Sequence, residues 1–181
     1  MLKRLFKKKK TMNINEFADA VMSSICDQAE RLTDSLILEL KTQYGIQPND
    51  INRNVLNTEL MCLIIAVDSK GLFHLMEDKS RVNKLIKYST NDYFFYIDDD
   101  DLRKYIIESI GVYSHLFDKA VLEDKCFDTF LYTQLIIQSL GDNAIKYGLN
   151  GIQHNYLSKT WGPILMGYWK NALNQVNITG N

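Results

Sequence analysis

Leu60-Met61-Cys62-Leu63-Ile64-Ile65-Ala66-Val67 is a run of eight residues without a charge, an amide side chain or a hydroxyl. A helix that is apolar on every side has to be covered on every side. At 1.5 Å per residue the run spans about 12 Å, far short of the ~30 Å of a bilayer core. It therefore reads as the buried centre of a helical bundle. With its lead-in from Val55 it predicts a central helix over about residues 52–69, with Asp68 and Lys70 at its end and Gly71 stopping or bending it.

Upstream, apolar residues from Ile14 and Phe17 through Ile25, Leu36 and Leu40 to Tyr44 recur at spacings of three and four. That is one stripe of a helix over 13–44, with Asn13 or Asn15 as its cap, Glu16 in its first turn and Gly45 as its stop. Residues 46–50 form a turn. Downstream, Asp78 caps a helix over 79–89, and Ser89-Thr90-Asn91-Asp92 is a turn cluster. Tyr93-Phe94-Phe95-Tyr96-Ile97 is aromatic and β-prone. It is either an extended connector lying on the bundle or an exposed docking strip.

Asp98, Asp99, Asp100 and Asp101 precede a helix from Leu102 to about Lys119, where acids suit the positive end of the helix dipole. Its expected inward residues include Leu102, Tyr105, Ile106, Ile110, Val112 and Tyr113. Another helix runs from Glu123 to Leu140 and stops at Gly141. Weaker helical spacing covers 142–157. Trp161-Gly162-Pro163 is a break, and a last helix carries Leu165, Tyr168, Trp169 and Val176. The reading is an all-α, single-domain bundle of six or seven helices over 13–177. A basic, flexible head covers 1–12 and a frayed tail 178–181.

The 181 residues suit one domain with a sizeable core. Only two prolines interrupt the chain, which allows long helices. The net charge of −1 conceals an asymmetry: six of the 21 cations lie within residues 1–10, leaving 15 against 22 anions, a net of −7. An acidic body argues against nucleic acid, whose phosphates call for clustered Lys and Arg. The head, Lys3, Arg4, Phe6, Lys7, Lys8, Lys9 and Lys10 with Leu2 and Leu5, has the composition of a segment that lies on an anionic membrane surface; its other reading is a solubilising tail. Cys26, Cys62 and Cys126 are far apart and lack metal-ligand spacing, so they read as small buried hydrophobes in a reducing compartment. No apolar segment follows the charged head, so no secretory signal is expected and the Asn177-Ile178-Thr179 sequon is chance. The expected location is cytoplasmic, with the inner face of the membrane as the alternative.

Motifs that carry chemistry are sparse. Asp142-Asn143-Ala144-Ile145-Lys146-Tyr147 resembles the N-box of histidine kinases and related ATPases, in which the Asn holds nucleotide-bound Mg²⁺. The Asp-x-Gly-x-Gly segment of that family is absent and Ser139 stands where its upstream Asn is usual, so no nucleotide site is assigned. Glu108, His115 and Asp118 share a helical face and are the only metal candidates worth naming, without the Glu-x-x-His pairing of bundle-core sites. Counting an EF-hand from Asp98 puts Arg103 where glycine belongs and Ser109 where glutamate belongs. Nucleophile elbows, phosphate loops and Cys-x-x-Cys pairs are missing.

The expectation is a non-catalytic interaction module without cofactor, inhibitor- or immunity-like, binding a basic protein partner through Tyr93, Tyr96 and Asp98–Asp101. The alternatives are a peripheral membrane protein tethered by its head and a metal-dependent enzyme using Glu108, His115 and Asp118.

Overall fold

The computed structural model describes residues 10–122, 135, 138–147 and 176–179. This part of the chain is mostly helical. Its elements are β1 (Lys10–Asn13), α1 (Ile14–Tyr44), α2 (Arg53–Leu75), α3 (Lys79–Lys87), α4 (Asp100–Leu122), a single-turn α5 (Asn143–Lys146) and β2 (Val176–Thr179). Short 3₁₀ turns at Pro48–Asp50 and Tyr93–Tyr96 and a π-turn at Tyr88–Asp92 join them. Five helices are thus bounded among the described residues. Leu135 and residues 138–140 are also helical, and Gly141 follows them in the left-handed region at φ 51°. The remainder of the expected 123–140 helix, most of 142–157 and the last helix as far as residue 175 lie outside the described residues.

α1 forms as its stripe dictates. Asn13 accepts from the Glu16 amide while Glu16 accepts from the Asn13 amide, both at 2.9 Å, so two orphan donors are satisfied reciprocally. Gly45 ends the helix at φ 65° and returns its N–H to the last carbonyls. α1 buries Phe17, Val21, Met22, Ile25, Leu36 and Leu40 against an antiparallel α2. The order of contacts sets that direction: Arg53 bridges Glu30 and Asp34 at 2.6 and 2.8 Å, Asn57 reaches Glu30 and Thr33, and Met61 meets Cys26.

α2 is the covered centre. Asn52 caps it, and residues 62–69 are buried without interruption. The helix does not end where Asp68 and Lys70 suggest. It continues through Gly71 to Leu75, and Asp68 itself is buried, 1% exposed. Burial of the surrounding turns overrides the local polarity that argues for a helix end. α4 lies along α2 on the side away from α1, with Ile106, Ile110 and Tyr113 inward. Leu102 and Val112, expected inside, are 40% and 42% exposed: Leu102 lies in the first turn, and Val112 projects about 120° from the buried arc at 100° per residue.

Two further corrections concern local structure. Residues 93–96 are helical, not extended, and continue the winding of α3 and the π-turn. The tail is not wholly frayed: Val176–Thr179 pairs in parallel with Lys10–Asn13, Met12 opposite Ile178. Lys10, Thr11 and Met12 of the expected flexible head are therefore strand. Each partner supplies the other's backbone hydrogen bonds, which neither segment can obtain alone.

Candidate functional site

The feature best suited to recognition is the corner between α3 and α4. In a 3₁₀ turn residues three apart share a face. Phe94 accordingly points inward with Ile97 beside it, and Phe95 and Tyr96 point out, 67% and 85% exposed. Their rings meet edge to face at 5.6 Å between centroids. Arg103, one turn into α4, fixes this pair. Its guanidinium donates to the Phe95 carbonyl at 2.8 Å, lies 5.9 Å from the Phe95 ring centroid and pairs with Asp100. Asp99 caps α4 by accepting from the Leu102 amide at 3.0 Å. Asp98, Asp99, Asp100 and Asp101 are all exposed. An open groove of about 420 Å³ continues along the outer side of α4, lined by Asp100, Arg103, Lys104, Ile107 and Glu108.

Of the residues expected to bind a partner, Tyr96 and the four aspartates therefore stand together on the surface. Tyr93 does not join them. It is half-buried, packed at 5.2 Å on Phe94 and 6.2 Å on Tyr88 and standing beside the Cys26 thiol. Its own hydroxyl is pushed up chiefly by burial. Phe95 and Arg103 are the members that the sequence reading missed. Strand alternation puts Tyr93 and Phe95 on one face and Tyr96 on the other, whereas the 3₁₀ winding buries Phe94 and leaves Phe95 and Tyr96 side by side on the outside.

A second constellation lies inside. Glu59, 1% exposed at the start of the apolar run, receives hydroxyls from Tyr105, Ser109 (3.0 Å) and Tyr113, all on α4. Burial, then the Glu59 carboxylate, pushes the Tyr113 and Tyr105 hydroxyls above the ordinary tyrosine range. The Cys62 thiol, one turn on and bonded to the Ile106 carbonyl at 3.7 Å, is pushed up for the same two reasons. An inert, protonated thiol and two reluctant phenols make a structural lock, not a reactive centre.

The N-box-like segment is absorbed by folding. Asn143 donates to the Asp50 carbonyl at 3.1 Å, Lys146 to the Asp50 carboxylate at 2.8 Å, and Tyr147 to the same carboxylate. The Asn that a nucleotide-bound Mg²⁺ would need is thus tied to the α1–α2 turn. Glu108, His115 and Asp118 are all exposed on α4; Asp118 is engaged by Lys70 at 2.8 Å and Glu108 by Lys104 at 3.9 Å. Among the described residues no group of three His, Cys, Asp or Glu side chains is placed to hold a metal. Nor is any helix of these residues long and apolar enough to cross a membrane.

No family model, curated protein or solved structure matches the chain.

Proposed function

We propose that the protein is a non-catalytic interaction module whose working surface is the corner Phe95–Asp101, and that its partner is a protein presenting a basic segment. The observation that carries this reading is the exposure of Phe95 and Tyr96 beside four exposed aspartates, with Arg103 holding the arrangement in place.

Aromatic side chains are favoured at interface centres because they bury much area at little entropic cost. A pair already fixed by cation–π and backbone contacts gives up still less freedom on binding. Four acids raise the encounter rate with a cationic partner and exclude acidic competitors. The groove along α4 adds Ile107 as an apolar contact and Glu108 as a further acid. Packing onto the core supplies no reason for Phe95 or Tyr96 to be aromatic.

The test is quantitative affinity capture from the native host. The full chain is compared with Phe95→Ser/Tyr96→Ser and with a variant carrying Asn at positions 98, 100 and 101. Asp99 is kept because it caps α4. A stoichiometric protein held by the native chain, weakened by salt and lost from both variants supports the reading. A partner retained unchanged by both variants refutes it.

A further inference from the structure

The start of α1 and the end of α3 enclose a cleft of about 270 Å³ in which the corner residues Phe95–Asp101 take no part. Its lining follows from the helix periods. Ile14 and Ala18 are one turn apart on α1, and Lys84, Leu85 and Tyr88 lie within one turn at the end of α3. Ile14, Ala18 and Leu85 are core residues and make an apolar floor. Ala18 offers only a methyl group there, which leaves the space between the helices open. Both walls are packed on the core, so the cleft needs no ordering before it is used.

The rim is polar. Lys84 and Lys87 stand on it, exposed, with Asn15 and Asp92. Among the described residues the ion pairing of α3 is confined to Arg81 with Asp78, so neither rim lysine is neutralised by contact. Two nearby acids are committed elsewhere: Asp19 accepts from the Tyr88 hydroxyl, and Glu16 accepts from the Asn13 amide in the α1 cap. Ile14 and Asn15 are the first two residues of α1, whose amides have no acceptor within the helix. The positive end of the helix dipole therefore adds to the two lysines.

We infer that this cleft is a binding site for a small amphipathic monocarboxylate. Its apolar body lies on Ile14, Ala18 and Leu85, and its carboxylate meets Lys84, Lys87 and the first turn of α1. Three features select that class. The apolar floor disfavours a ligand that is polar throughout, because such a ligand loses hydration there without gaining partners. Two lysines and one aspartate leave one net positive charge, which matches a single carboxylate better than a dianionic phosphate or a polyanion. The volume lies just below the usual range of ligand pockets, about 300–1,000 Å³, so the body is short.

The experiment is titration of the full chain with octanoate, followed in the amide ¹H–¹⁵N spectrum. Acetate and octanol serve as the probes that lack the body and the charge. The expected result is saturable shifts centred on Asn15, Ala18, Leu85 and Lys87, with acetate and octanol about tenfold weaker or more. Lys84→Gln/Lys87→Gln exchanges two exposed side chains and leaves the floor intact, and is expected to weaken octanoate about tenfold. Asp92→Asn is expected to tighten it about twofold, a gain that no loss of folding produces. Circular dichroism confirms the helix content of both variants. Four results overturn the inference: no saturable shift, shifts centred elsewhere on the chain, a lysine variant that binds octanoate like the native chain, or acetate or octanol binding as well as octanoate.

Discussion

Tyr113 on α4 donates its hydroxyl to the Glu59 carboxylate on α2, with both side chains closed to solvent. Ser109 and Tyr105 reach the same carboxylate one and two turns earlier, so one acid is held by three donors of a single neighbouring helix. A buried charge is tolerated only when it is satisfied in this way. Glu59→Ala leaves three hydroxyls without their acceptor, that of Tyr113 fully buried, and opens a cavity, and is expected to cost about 3 kcal/mol or more. Tyr113→Phe removes one of three donors and is expected to cost ~2 kcal/mol. Urea unfolding midpoints measure both. If the two losses simply add in the double variant, the residues are not coupled as drawn.

The same contact fixes the response to alkali. Tyr113 and Tyr105 titrate higher in the fold than in the unfolded chain, because burial and Glu59 both oppose the phenolate. A raised folded-state pKa contributes stability that is whole below the unfolded value near 10 and is lost as pH rises beyond it. Unfolding monitored from about pH 8 to pH 11 is expected to show falling stability, with a gentler fall in Tyr113→Phe. Equal slopes for the two proteins would count against a buried Tyr113 hydroxyl.

Acid acts at a different place. Lys146, then Tyr147, hold the Asp50 carboxyl below the ordinary carboxylate range and join α5 to the α1–α2 turn. A depressed folded-state pKa contributes stability present above the unfolded value near 3.9 and lost as pH falls through the folded one. Asp50→Asn is expected to lower the thermal midpoint at neutral pH, with the difference closing below about pH 3. A difference that stays constant down to that pH would mean the ion pair is not its source.

How far the sequence reaches follows from how local each signal is. α1 is legible because a stripe of three-and-four spacing lies between a capping asparagine and a left-handed glycine, all within one segment. α2 is legible from eight consecutive apolar residues. The aromatic corner is only half legible, since Tyr-Phe-Phe-Tyr reads as strand by residue type and winds as 3₁₀ because it continues α3. The pairing of Met12 with Ile178 leaves no local trace: four-residue strands carry little pattern, and their partners lie at opposite ends of the chain. The Glu59 lock was present in the pattern. Tyr105, Ser109 and Tyr113 fall at four-residue intervals, a polar stripe facing an apolar helix that opens on a glutamate.

Gly45 gives a local test of the helix end. Its φ of 65° is natural for glycine and unfavourable for any residue with a Cβ, while no neighbour within 4 Å would meet that Cβ. Gly45→Ala is therefore expected to cost about 1 kcal/mol through the backbone alone. Gly71→Ala, on an ordinary helical turn with equally open surroundings, is expected to stabilise by up to ~1 kcal/mol. The opposite signs of the two changes, read from thermal midpoints, separate conformational strain from packing.

Asp68 is the group among the described residues whose carboxylate is buried with both oxygens unpartnered. It is 1% exposed on α2, and neither carboxylate oxygen has a hydrogen-bond partner among the described residues. Burial pushes its carboxyl well above the ordinary aspartate range. The sign is the reverse of that for Asp50: the protonated form is favoured in the fold, so its contribution is whole below the unfolded pKa near 3.9 and is lost as pH rises. Near pH 7 the fold must bear the cost of neutralising or desolvating this acid. Asp68→Asn keeps the shape and removes the charge, and is expected to stabilise by ~1–2 kcal/mol at neutral pH, with the gain shrinking toward pH 4. Asp68→Leu, of similar size and without polar atoms, is expected to stabilise at least as much, because no donor is left behind. Chemical unfolding at two pH values reads both. Destabilisation by Asn at pH 7, vanishing in acid, would instead reveal a cationic partner for Asp68 and make this carboxylate an ion-pairing group of the core.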